Sequence, residues 1–149
     1  MSTGQYHGLS RGWIGVDLDG TLAHYDKWRG DNHIGDPIPE MVARIKAWTQ
    51  AGQEVRIFTA RVSGIGGDRA MKYRELIQDW LEAAGLPRLE VTCTKDYQMV
   101  ELWDDRAVSV VPNTGKSERE WWRRNQPYLQ HFEEPCPGLL NPTRLQGAQ

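Results

Sequence analysis

The chain has 149 residues, with 18 Lys and Arg set against 20 Asp and Glu for a formal charge of −2. That length suits a single domain able to bury its own core, and the balanced charge excludes the bulk electrostatic footprint of a polyanion binder. Two cysteines, Cys93 and Cys136, without Cys-x-x-Cys spacing argue against a disulfide framework or a zinc cluster, and no apolar run approaches the ~20 residues of a membrane span.

In chain order, residues 1–11 are polar, without the apolar core of a signal peptide, and are expected to form a loose leader. A buried first strand is predicted over about 12–18, its end running into Asp17-Leu18-Asp19-Gly20-Thr21-Leu22. Residues 22–38 are polar, aromatic and turn-rich, and read as a flap rather than a core element. Pro39 opens a helix to about Ala51, with Met41, Val42, Ile45 and Trp48 on its apolar face and Gly52 closing it. A second strand is expected over Glu54–Thr59, running into Ala60-Arg61. A glycine-rich loop, Ser63-Gly64-Ile65-Gly66-Gly67, precedes a long helix expected to be capped by Asp68, with Met71, Leu76, Ile77, Trp80 and Leu81 buried and Gly85 and Pro87 ending it.

Short strands are predicted at Leu89–Cys93, Met99–Trp103 and Ala107–Val111, the last stopped by Pro112-Asn113. Ser117-Glu118-Arg119-Glu120 reads as a capping box opening a final helix to about His131, and 133–149 as a flexible tail. One domain spanning 12–132 is therefore expected. Its alternating strands and helices predict an α/β fold, a three-layer sandwich around a mainly parallel Rossmann-like sheet without a large cap domain.

Ligands of such sheets sit beyond the carboxyl ends of the strands. The unusual polar residues of this chain fall there: Asp17 and Asp19, Thr59 and Arg61, and Asp104 and Asp105. Two carboxylates ~4 Å apart repel by about 4 kcal/mol at an effective dielectric of about 20. The pair Asp17/Asp19 therefore asks for a cation, a shared proton, or chemistry that uses both. Carboxylate and water oxygens are hard donors suited to Mg²⁺. A carboxylate can attack phosphorus, and a second acid can move protons to a leaving group and from water. Thr59 offers a hydroxyl and a backbone N–H to a phosphoryl group, and Lys95 a charge to neutralise it.

These residues resemble the four motifs of the haloacid dehalogenase superfamily. Asp17-Leu18-Asp19-Gly20-Thr21-Leu22 is similar to motif I, Phe58-Thr59-Ala60-Arg61 to motif II, Lys95 to motif III and Leu102-Trp103-Asp104-Asp105-Arg106 to motif IV. The resemblance covers residues 12 to about 111 and implies a Mg²⁺-dependent phosphomonoester hydrolase. Asp17 would be nucleophile and metal ligand, and Asp19 general acid/base with its backbone carbonyl on the metal. Thr59 and Lys95 would hold the transferring group, with Gly20, Ala60 and Arg61 around the phosphate and Asp104 or Asp105 completing the metal site. The carbon–halogen-cleaving branch lacks the second acid and the ion-pump branch carries Thr there, so Asp19 disfavours both.

The segment between Lys95 and the strand entering Asp104 is shorter than the family pattern and than the dozen residues a parallel crossover normally takes. Either Lys95 is not at a strand's carboxyl end or a strand is misplaced, with Arg61 and Lys72 as other cations.

The short flap resembles the capless branch of the superfamily. A small phosphorylated substrate is expected, and His24, Tyr25, Trp28 and Arg29 admit a nucleotide or nucleic-acid end. A non-catalytic phosphate- or metal-binding module is the other reading, which Asp19 argues against. Membrane association is not expected, and a reducing cytoplasm is the expected compartment. The sequence carries no signal of oligomeric state.

Overall fold

The computed structural model describes residues 11–120. The expected leader apart from Arg11, most of the last helix with Trp121 and Trp122, and the tail lie outside them. Contacts divide the chain into two compact units, Met1–Ala107 and Val108–Gln149.

The first unit is an α/β fold around a four-stranded, wholly parallel, Rossmann-like sheet flanked by helices. In chain order it runs β1 (Trp13–Val16), α1 (Pro39–Gln50), β2 (Glu54–Phe58), a short 3₁₀ turn (Ala60–Val62), α2 (Gly67–Ala83), β3 (Glu90–Thr92) and β4 (Met99–Trp103). The sheet order is β3-β2-β1-β4. Every residue of β1 is buried, as an interior strand with neighbours on both sides requires. No helix among the described residues is long and apolar enough to cross a membrane.

Both helices end as their glycines foretell. Gly52 and Gly85 take φ of 82° and 78°, and the residues after them close back onto the helix through Gln53 N–H to Trp48 O (2.9 Å) and Leu86 N–H to Leu81 O (2.9 Å). Pro39 stands at the start of α1, and Met41, Val42 and Ile45 are its buried residues. In α2 the N-cap is Gly66 rather than Asp68, which sits inside the first turn, where its charge still suits the helix dipole. The buried stripe of α2 is Ala70, Tyr73, Ile77 and Leu81, whereas Met71 is exposed. A stripe running through Tyr73 and Ile77 turns residue 71 away from the core.

Side chains of α1 and α2 join Ile14, Val16, Val55, Ile57 and Val91 in one core cluster. Both described helices thus cover the same face of the sheet, as right-handed crossovers stepping one way along it demand. The step from β3 to β4 goes the other way and has no helix. Residues 93–98 cross the opposite face, pinned by Asp96, which accepts a hydrogen bond from Trp13 Nε1 (2.9 Å) and lies 3.5 Å from Arg56 Nη1. The Arg56 guanidinium stacks on the Trp13 ring at 4.5 Å. Three strand spacings are about 14 Å, and extended chain covers roughly 3.3 Å per residue, so this strap reaches β4 with little slack. The predicted strands on both sides of the short segment are therefore correct.

The expected strand Ala107–Val111 does not form. Val110 instead pairs antiparallel with Ser117 around a turn in which Asn113 and Gly115 have φ of 63° and 67°. The turn reverses the chain just after its apolar run, and Val108 and Val110 remain exposed. The capping box is present: Glu120 accepts from Ser117 N–H (2.9 Å), and Glu120 N–H donates to Ser117 Oγ (3.2 Å).

Candidate active site

The carboxyl ends of β1, β2 and β4 surround a cleft of about 640 Å³. Asp17 continues the ladder of β1, its N–H donating to Trp103 O at 2.8 Å. The chain then folds over itself at Leu18–Ala23, with Leu22 N–H and Ala23 N–H both bonded to Leu18 O and Leu18 and Leu22 fully buried. Gly20 takes φ 96° in this turn, and a Cβ there would stand 2.7 Å from Asp105 Oδ2. A side chain at this position would press on the Asp105 carboxylate, on a backbone that favours glycine.

This turn separates the two carboxylates that the sequence pairs. Asp17 faces the end of β4, where it, Asp104 and Asp105 each offer an oxygen within 4.8 Å of the others. Thr21 ties the group together: its Oγ1 lies 3.4 Å from Asp17 Oδ2 and 3.4 Å from Asp105 Oδ1, and accepts Asp105 N–H at 3.0 Å. Burial, followed by the charge of Asp104 and the contact with Asp105, raises the Asp17 pKa to about 7. Asp19 faces β2 instead. Both of its oxygens accept from Arg61, from Nε and Nη2 at 2.7 Å each, and the Arg61 side chain is 5% exposed.

Arg61 also fastens the flap. Its Nη2 donates to His33 O at 2.8 Å and its Nη1 to Asp31 O at 3.4 Å, and the Trp28 ring lies 4.9 Å over its guanidinium. The flap's base is a pair of short antiparallel contacts, His24 N–H to Asp36 O and Ile38 N–H to Leu22 O, both 2.8 Å. Gly35 passes so near His24 that a Cβ would overlap its carbonyl oxygen, and Trp80 of α2 holds Gly35 O at 3.0 Å. The flap is thus attached at both ends.

Of the residues expected around the phosphate, Thr59, Ala60 and Arg61 line the cleft with Asp17, Asp19 and Asp104. Thr59 is almost fully buried, and its Oγ1 accepts Arg61 N–H at 3.2 Å, leaving the hydroxyl proton to donate. Lys95 is not brought there. It is exposed in the strap, while Cys93, two residues earlier, still lines the cleft. Without a crossover helix, the chain leaves the sheet's edge before it reaches Lys95. Lys72 lines a smaller neighbouring depression instead.

The cations that do line the cleft are Arg61, Arg69 and Arg106. Sequence reading assigned no role to Arg69, Tyr73 or Thr21. Arg69 and Tyr73 are one turn apart on α2, a spacing that puts them on one helix face. Asp31 of the flap meets them: a hydrogen bond from Tyr73, with Arg69's charge beside it, holds the Asp31 carboxyl below its usual range.

The donor set of Asp17, Asp104 and Asp105 fits a hard divalent cation. It is all oxygen, with Asp17 and Asp104 partly buried, and Arg61 is committed to Asp19. The carboxylate of Asp19 stands apart from this set, and its expected contribution to the metal is its backbone carbonyl.

Comparison of the sequence finds no matching family model and no matching curated protein. Among solved structures, a conserved protein from Bacteroides thetaiotaomicron is similar at a TM-score of 0.45, with 20% identity over 78% of this chain and 91% of that one.

Proposed function

We propose that the protein is a Mg²⁺-dependent phosphomonoester hydrolase of the haloacid dehalogenase type, working through an aspartyl-phosphate on Asp17. The observation that carries this reading is the division of the two motif carboxylates at one cleft. Asp17 sits in a group of three carboxylates with Asp104 and Asp105, while Asp19 stands in a separate setting, paired with Arg61.

In the first half-reaction, an Asp17 carboxylate oxygen attacks phosphorus as the ester P–O bond breaks, and Asp19 passes a proton to the departing alkoxide. In the second, water attacks the phosphoryl group, Asp19 accepts its proton, and Asp17 is released with inorganic phosphate. Thr59 donates its hydroxyl to a phosphoryl oxygen, and Arg106 faces the negative charge left unmet by Lys95. Asp17, Asp104 and Asp105 would hold Mg²⁺, which would neutralise their charge and that of the phosphate.

The test is hydrolysis of an aryl phosphate and a panel of phosphomonoesters with and without Mg²⁺, together with acid-quench trapping of phosphate on the protein. Metal-dependent turnover with label on Asp17 is expected. A folded protein that hydrolyses none of the panel with Mg²⁺ would overturn the reading.

A further inference from the structure

The cleft is larger than a phosphate group needs, and one wall of it is aromatic. Trp28 and Tyr25 of the flap and Tyr73 of α2 line it, yet Trp28 is 52% exposed and Tyr25 36%. Both rings therefore present open aromatic surface at the cleft, with an apolar body and a polar edge.

Trp28 is also held in place. One ring face lies over the Arg61 guanidinium, which is fixed in turn by Asp19 and by the carbonyls of Asp31 and His33. Trp28 thus anchors the flap through one ring face and leaves about half of its surface, 52%, exposed. A platform backed by a cation, with its remaining surface open to the cleft, is what stacking on a planar ligand requires.

The occupant must also carry a phosphate, because the same cleft ends at Asp17 and Asp104. Resting on the hydrolase reading above, we infer that the substrate is a nucleotide-type phosphomonoester, whose base stacks on Trp28 while its phosphate lies at Asp17. An aliphatic phosphate leaves the ring uncovered. Arg69 and Tyr73 lie in the wall, with Asp31 engaged by both, so polar contacts are available to the sugar or base edge.

The experiment measures binding by calorimetry in the Asp17→Asn background with Mg²⁺, so that turnover does not intervene. Adenosine 5′-monophosphate is compared with glycerol 3-phosphate. The nucleotide is expected to bind about tenfold tighter or more, the range of one base stacked on an aromatic ring. Trp28→Ala should bring the ratio of the two affinities towards one, and Trp28→Phe should restore most of it. Equal affinities for the two ligands, no measurable binding of the nucleotide, or a ratio that Trp28→Ala leaves intact each overturn the inference. Wild-type turnover reads the hydrolase assignment separately: a Trp28-dependent base preference without turnover supports the ligand class and removes the hydrolase, while turnover without base preference does the reverse.

Discussion

The guanidinium of Arg61 grips both carboxylate oxygens of Asp19 at 2.7 Å, and the same side chain carries the flap through Trp28, Asp31 and His33. One residue therefore orients the proposed general acid and closes one side of the cleft. Geometry at Asp19 and position of the flap are coupled through it.

Removing Arg61 should be costly in two ways. Arg61→Ala leaves Asp19, whose side chain is only 20% exposed, without its partner, and the expected loss of stability is about 2–3 kcal/mol, read from urea denaturation. Turnover should fall at least ~100-fold with a changed pH–rate profile, since Asp19 loses its orientation. Arg61→Lys, which cannot form the fork, should recover only a small part. An Arg61→Ala protein of unchanged stability would show the ion pair to be unimportant.

Asp17 makes the metal-free protein sensitive to pH. Its raised pKa of about 7 means that the folded state binds this proton more tightly than the unfolded chain does. The stabilisation is present at low pH and is lost as pH rises from the ordinary carboxylate range through about 7. Thermal melts without metal should therefore show a fall in Tm between about pH 5 and pH 8, a fall flattened by Asp17→Asn. Mg²⁺ should raise Tm more at the higher pH, where the proton no longer competes for the carboxylate. A Tm indifferent to Mg²⁺ at both pH values would count against the proposed metal site.

Gly20→Ala tests the close approach of the turn to β4. The added Cβ would meet Asp105 Oδ2 at 2.7 Å on a backbone with φ 96°. A stability loss of about 1–2 kcal/mol is expected from the left-handed backbone, with at least tenfold weaker Mg²⁺ dependence of turnover because Asp105 is displaced. Full retention of both would mean that the turn and the acidic group adjust independently.

Lys95 and Arg106 can be told apart by substitution. Lys95 is exposed on the strap and Arg106 lines the cleft. Lys95→Ala should change kcat/KM by less than about threefold, while Arg106→Ala should lower it about tenfold or more, the order expected for losing a charge contact with a phosphate. A loss of ~1000-fold in Lys95→Ala would restore the role that its motif resemblance implies.

Much of this fold was legible in the amino-acid order. The β1 run Trp13–Val16, the glycines after α1 and α2, and Pro39 at a helix start each act through local backbone chemistry, so the elements fall where periodicity and punctuation place them. The strand carboxyl ends placed Asp17, Asp19, Thr59, Arg61 and Asp104 around one cleft for the same reason. Local pattern failed at Ala107–Val111, because a strand exists only where a partner accepts its hydrogen bonds, and a left-handed turn at Asn113–Gly115 supplied a nearer one. It failed again at Met71, whose exposure depends on which stripe of α2 the sheet selects.

By itself, then, the sequence determined an α/β chain with acids gathered at strand ends, since those properties follow from spacing and side-chain type. The tertiary structure decided the environment of each acid. Asp17 and Asp19 are neighbours in sequence, yet the turn at Gly20 delivers one to β4's carboxylates and the other to Arg61 from β2's end. It also carried Lys95 away on a helix-free strap and brought Trp28 over Arg61. Charge, burial and pairing at each position depend on residues far apart in the chain, and only folding brings those residues into contact.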